Sequence, residues 1–201
     1  MFKFGNRSIS RLMGVHPLLV ETAKLAIARS KIDFGITCGV RDMETQKKLK
    51  AAGRSWTLKS KHLVQEDGFS HAIDCVAYWD GEVCWEIEVY DEIADAMLEA
   101  SKEVSGSFDI TWGAAWHCPI TQWNGTCEEL TEAYVKLRQE QGRRVSMDGP
   151  HFQIENISLG EQAHLQVRHM RLSLPMNHRD VLTHKVWPSL PTPSSEQRGL
   201  R

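Results

Sequence analysis

Nowhere does this chain alternate strand and helix in the regular rhythm that a parallel sheet with crossover helices requires. Its β-rich runs are short and unevenly spaced: Phe34 to Val40, Ala72 to Tyr78, Phe108 to Trp112 and His151 to Ile154. Between them lie helical patterns over about 17–30, 43–52, 88–104 and 126–141. Pro17 suits a first helical turn, Asp42 is a good N-cap, and Gly53 and Gly142 close two of the helices. Asp80-Gly81 is a turn signal after the second run. Residues 1–15 read as a lead-in, and residues 114–127, with Trp116, Pro119, Trp123 and Gly125, as a structured exposed loop. The pattern predicts an α+β fold with a small, mainly antiparallel sheet carrying helices on one side.

A core must hold this fold without disulfide staples. The five cysteines, Cys38, Cys75, Cys84, Cys118 and Cys127, are odd in number and form no CxxC pair, so they read as free thiols in a reducing compartment. With 201 residues the chain is long enough to bury such a core. The formal charge of -2 gives no general argument for nucleic acid as partner. No apolar run is long enough to span a bilayer, and the N-terminus lacks the apolar stretch of a secretory signal, which predicts a protein held in the cytoplasm. After about residue 157 the character changes. Four of the seven prolines lie there, with six cations against three acids and no convincing period. The expected organisation is one domain over 1–156 and a poorly ordered extension over 157–201. Nothing in the sequence calls for a partner chain, so a monomer is expected.

Three segments could carry chemistry. The first is Ser60-Lys61-His62, leading through a loop to Ser70-His71-Ala72-Ile73-Asp74. The second is Asp148-Gly149-Pro150-His151, and the third is Gly39-Val40-Arg41 with Gln46 following. A carboxylate in an apolar strand, as at Asp74, needs a partner, and a metal is a natural one. Hydrolytic zinc takes three protein ligands from His and carboxylate side chains and leaves a position open. His62, His71, Asp74 and His151 are the candidates. Asp148 would serve as a base across its Gly-Pro turn, and Arg41 offers a fork for a carboxylate. Singly these residues have plain readings: a histidine is most often a hydrogen-bonded residue, Asp-Gly a turn, Arg41 a salt bridge, and Trp112, Trp116 and Trp123 anchors of core or loop.

Together the segments resemble the zinc D-Ala-D-Ala carboxypeptidase and L-alanyl-D-glutamate endopeptidase family, and especially its phage endolysins. The pattern appears as Ser60-Lys61-His62, Ser70-His71-Ala72-Ile73-Asp74 and Asp148-Gly149-Pro150-His151. Phe2-Lys3-Phe4-Gly5 and Trp112-Gly113-Ala114-x-Trp116 add to it. The resemblance implies a Hedgehog/DD-peptidase-like fold. It also implies zinc on His62, Asp74 and His151, Asp148 as catalytic base, Arg41 in catalysis and substrate binding, and Gln46 and Ser60 lining the cleft. The loop Leu63 to Ser70 is enlarged relative to the family, which makes His71 a rival ligand; the intact Ser-Lys-His favours His62. The implied substrate is a peptidoglycan stem peptide, reached from the host cytoplasm when a holin opens the way. A D-Ala-D-Ala carboxypeptidase and a non-catalytic wall-binding module are the alternatives.

Overall fold

The computed structural model describes residues 1–158. Helix α1 (Asn6–Arg11) precedes α2 (Pro17–Arg29), β1 (Asp33–Cys38), α3 (Met43–Ala51), β2 (Ala72–Trp79) and β3 (Glu82–Cys84). There follow α4 (Ile87–Ser101), β4 (Ser107–Trp112), a 3-10 turn (Ile120–Gln122), α5 (Cys127–Glu140) and β5 (His151–Ser158). The expected extension over 157–201 lies almost wholly outside the described residues, and β5 runs to Ser158.

Local chemistry fixes the helix ends. The His16 ring accepts the Leu18 amide at the start of α2, with Pro17 in the first turn, where its missing N–H is no loss. Asp42 accepts from the Thr45 amide to open α3, and Thr126 with Glu129 forms a capping box on α5. Gly53 and Gly142 follow their helices at φ 68° and 61°, where a side chain would strain the backbone. Asp80 and Gly81, at φ 51° and 81°, join β2 to β3 as a tight hairpin turn.

The strands form one sheet in the order β1-β2-β5-β4, with β3 paired to β2, and every named pairing is antiparallel. This is the α+β architecture the pattern predicts. Along β2 the residues alternate. Ile73, Cys75 and Ala77 join the main core with Leu19, Ala23, Ile27, Ile93 and Met97 of α2 and α4, while Asp74 takes the opposite face. Trp112 and Phe152 stack across β4 and β5 at 6.1 Å. The helical core thus backs one face of the sheet and leaves the Asp74 face for chemistry.

Three elements depart from the sequence reading. The lead-in contains α1, a helix with no buried residue, so no apolar stripe marks it. It is held instead by polar bonds: Arg11 Nη1 donates to Ile36 O at 2.7 Å, and Ser8 Oγ accepts from Ile36 N at 3.0 Å. Strand β3 has only three residues, none buried, and rides on the hairpin turn. Strand β5 continues well past Ile154 because it pairs with β4 as far as Ser158.

Candidate metal centre

The sheet register assembles the site. Asp74 on β2 stands opposite Cys38 on β1 and opposite His151 on β5, so one cross-strand row carries a thiol, a carboxylate and an imidazole. A bulge between Ile36 and Cys38 re-aims the end of β1, and Thr37 Oγ1 ties it to Asp74 O at 3.0 Å. His62 enters from the loop between α3 and β2. Its segment is set by backbone bonds from Arg41 N to His62 O (2.9 Å) and from His71 N to Lys61 O (2.8 Å), and Ser60 Oγ accepts from the His62 amide at 3.3 Å. Ser60 therefore anchors the turn that bears His62.

Three donor atoms meet here. His62 Nε2 lies 3.0 Å from Asp74 Oδ1 and 3.3 Å from His151 Nδ1, and His151 Nδ1 lies 3.0 Å from the same Asp74 oxygen. The far nitrogen of each ring is occupied: His62 Nδ1 faces Gly39 O at 2.6 Å, and His151 Nε2 faces Gln153 Oε1 at 3.0 Å. Both acceptors take a ring N–H, which turns the lone pairs of His62 Nε2 and His151 Nδ1 toward Asp74. Three lone pairs at such separations repel unless a cation lies among them. The edges of a tetrahedral site with bonds of about 2.0–2.1 Å are roughly 3.3–3.4 Å, close to the spacing of these atoms. Two buried imidazoles and one carboxylate therefore fit a divalent metal such as zinc.

The same electrostatics governs protonation. When no cation lies among the donors a proton takes that place: burial pushes His62 down, but the Asp74 carboxylate outweighs it and lifts the ring to about 10, so that Nε2 then carries a proton toward Asp74 instead of a lone pair. Asp74 is held well below the ordinary carboxylate range: burial opposes ionisation, and His62 and His151 overcome it.

Cys38, His62 and Asp74 by themselves form a group able to hold a metal ion. The thiol, however, contacts His62 through Nδ1, at 3.7 Å, the nitrogen already committed to Gly39 O. It also receives Arg41 Nη2 at 3.4 Å. His151 is better placed than Cys38 as third donor, because its Nδ1 lies within 3.3 Å of both other donor atoms. Sequence reasoning passed over Cys38 as a plain thiol; its only signal was its place three residues before Arg41 at the end of a β-rich run.

Arg41 reaches into the site. Its Nη2 donates to Asp74 Oδ2 at 3.3 Å and its Nη1 to Gln46 Oε1 at 2.9 Å. Gln46 was expected to line the cleft, and here the structure corrects the reading. Its side chain is fully buried at 0 % exposure, with the amide spent on Ser55 Oγ and Thr57 O at 2.7 Å each. It positions Arg41 and the following loop. His71 is not part of the donor group. Its Nε2 pairs with Asp67 Oδ2 at 2.7 Å, and its ring packs edge-on against the buried His16.

Asp148 reaches the site through backbone bonds. Its amide donates to Gly113 O (2.8 Å), its carbonyl accepts from His151 N (3.0 Å), and Trp112 Nε1 donates to Gly149 O (2.7 Å). The residue is exposed at the surface. Crowding of its carboxyl by protein and by Asp74 raises its pKa, against the pull of His151, His62 and Arg41. Trp116 is 40 % exposed, with its ring 5.4 Å from that of His151.

The profile of the family described as phage L-alanyl-D-glutamate peptidase matches residues 1–154. This chain belongs to that family. Its relatives include the L-alanyl-D-glutamate peptidase of Escherichia phage T5, 32% identical over 120 residues, a match covering 58% of this chain and 82% of the relative. Among solved structures, the L-Ala D-Glu endopeptidase ChiX of Serratia marcescens is similar in fold, with a TM-score of 0.54 and 32% identity over 77% of this chain and 90% of that one. The match spans every residue of the site described above, from Cys38 to Gln153.

Proposed function

We propose that this chain is a zinc peptidase that cuts the L-alanyl–D-glutamate bond of peptidoglycan stem peptides. In this reading His62, Asp74 and His151 hold the ion, and the observation that carries it is the convergence of their three lone pairs with both far ring nitrogens already engaged. Bound zinc supplies Lewis acidity at the scissile carbonyl. Asp148 takes a proton from the attacking water and passes it to the leaving amine. No hydrogen bond among the described residues occupies its carboxylate, and the crowding that raises its pKa favours its taking up a proton. Arg41 keeps one guanidinium edge on Asp74 and offers its charge to a substrate carboxylate or to the developing oxyanion. Trp116 and His151 form the neighbouring wall.

The family's phage peptidases, and the absence of any membrane-crossing helix among the described residues, support an endolysin that waits in the host cytoplasm and reaches the wall through a holin. Residues 1–156 would constitute the peptidase domain of a monomer, and 157–201 an extension.

Digestion of purified sacculi, with mass spectrometry of the released ends, tests the reading. New D-glutamate amino ends are expected from the zinc-loaded protein and none from Asp148→Ala. Release of free D-alanine alone would make it a carboxypeptidase instead. Full activity in Asp148→Ala would remove the base.

A further inference from the structure

We infer that the basic segment running from α3 to His62 is a docking surface for the glycan strands of the wall, where it binds free carboxylates of stem peptides next to the one being cut. This inference rests on the function proposed above. Residues 47–61 hold six cations, Lys47, Lys48, Lys50, Arg54, Lys59 and Lys61, and no Asp or Glu, in a chain whose formal charge is -2. Charge is therefore segregated: α4 carries five acids and no base. Lys48 is paired with Glu44 at 2.8 Å, whereas among the described residues Lys47, Lys50, Arg54, Lys59 and Lys61 form no ion pair. Lys47 and Lys50 lie one helical turn apart, and Arg54 follows the Gly53 turn, its amide bonded to Leu49 O. All three are exposed.

Within this cationic surface Trp56 is 76 % exposed. The indole sets a flat apolar face among the cations, and that face matches the C–H face of a sugar ring. The segment is not loosely attached. Gln46 bonds Ser55 and Thr57 from beneath while holding Arg41, and the chain then continues directly into Ser60 and His62. Whatever the segment binds is therefore held beside the cleft.

A strand of sugars bearing a peptide at regular intervals, in which each D-glutamate spends one of its two carboxyls on the next peptide bond and keeps the other free, offers the complementary surface: repeated negative charge on a pyranose backbone. Cations spread over several helical and loop positions engage several such carboxylates at once, and the resulting avidity falls as salt screens it.

The test compares wild type with two variants of the full chain, the triple change Lys47→Gln, Lys50→Gln, Arg54→Gln and the single change Trp56→Ala. Binding to purified sacculi stripped of phosphate-bearing polymers is measured by pelleting over a range of salt. Turnover is measured on a soluble single-stem muropeptide. The triple variant is expected to bind sacculi ~10-fold more weakly, taking each exposed pair at its ordinary small worth. Its salt dependence should be flatter, and turnover of the soluble muropeptide unchanged. Amidating the sacculus carboxylates should weaken the wild type equally. Unchanged binding in the triple variant overturns the proposal. So does wild-type binding that disappears when phosphate-bearing polymers are stripped, which would assign the surface to them. Parallel loss on the soluble muropeptide also overturns it, since the cations would then act through the fold. Binding to stripped sacculi without any cleavage would refute the peptidase reading and leave the docking surface standing.

Discussion

Gly113 is where the fold bears most tightly on the proposed base, and Gly113→Ala tests that link. A Cβ on Gly113 would stand 2.3 Å from the carbonyl oxygen of Asp148 and 3.0 Å from its Cβ. Ordinary contact begins near 3.4 Å, so the two backbones must separate by about 1.1 Å. The obstruction is backbone, already tied by Asp148 N to Gly113 O and Gly113 N to His151 O at 2.8 Å each, so no rotamer change relieves it. The Asp148 turn is the part free to yield, because it borders solvent while β4 and β5 are packed against the core. A displacement of about 1 Å in a catalytic group costs on the order of 10²-fold in rate, and the forced fit costs about 1–3 kcal/mol of stability. The assay combines turnover on a defined muropeptide, bound zinc by mass spectrometry and a thermal melt. The expected outcome is turnover down roughly 100-fold, zinc retained, and Tm lower by several degrees. Gly5→Ala, where nothing lies within 4 Å, is the neutral control. Wild-type turnover in Gly113→Ala would refute the reasoning, and loss of zinc would show that His151, not Asp148, had moved.

Three further outcomes are expected. Zinc should bind stoichiometrically to wild type, His71→Ala and Cys38→Ala but not to His62→Ala, Asp74→Ala or His151→Ala, and chelation should lower the wild-type Tm; retention in His62→Ala with loss in His71→Ala would reverse the ligand assignment. Stability should fall in acid because His16, whose burial lowers its pKa from 6.5 to about 4 despite Asp67, takes up its proton more readily when unfolded. Between those values the unfolded chain binds more protons, so stability declines as pH drops from 6.5 to 4, by about 3 kcal/mol in all; His16→Asn, which keeps an acceptor for the Leu18 amide, should flatten that slope in melts against pH, and an unchanged slope would exclude His16 as its source. Gln46→Ala should strip Arg41 Nη1 and the 55–57 loop of their shared partner, at about 1–3 kcal/mol, and lower kcat/KM on the soluble muropeptide about 10-fold; unaltered kinetics would mean that Arg41 holds its place without it.

What could be read from the chain was whatever local chemistry decides. Asp42, Gly53, Gly142 and Asp80-Gly81 mark their boundaries because local backbone geometry and short-range bonds decide them. Asp74 was conspicuous because a carboxylate in an apolar run is costly. Strand order was not legible, since nothing near residue 151 says that it will lie opposite residue 74, and with it the row that joins Cys38, Asp74 and His151 stayed hidden. The contest between His62 and His71 could not be judged by spacing, because the partner that draws His71 away, Asp67, lies in the enlarged loop itself. The resemblance placed Gln46 in the cleft, and nothing about a polar side chain five residues past Arg41 signals that its amide will be wholly enclosed.

The order β1-β2-β5-β4 has a consequence for biosynthesis. His151 sits on the last described strand, yet that strand takes an interior place between two made much earlier. A ribosome that has delivered the first 150 residues has made two of the three donors and both partners of the missing strand, but no complete donor set. Until β5 slides between β2 and β4, the growing polypeptide has an open seam in its sheet, and on the ligand set proposed above it lacks His151 and with it a complete metal site.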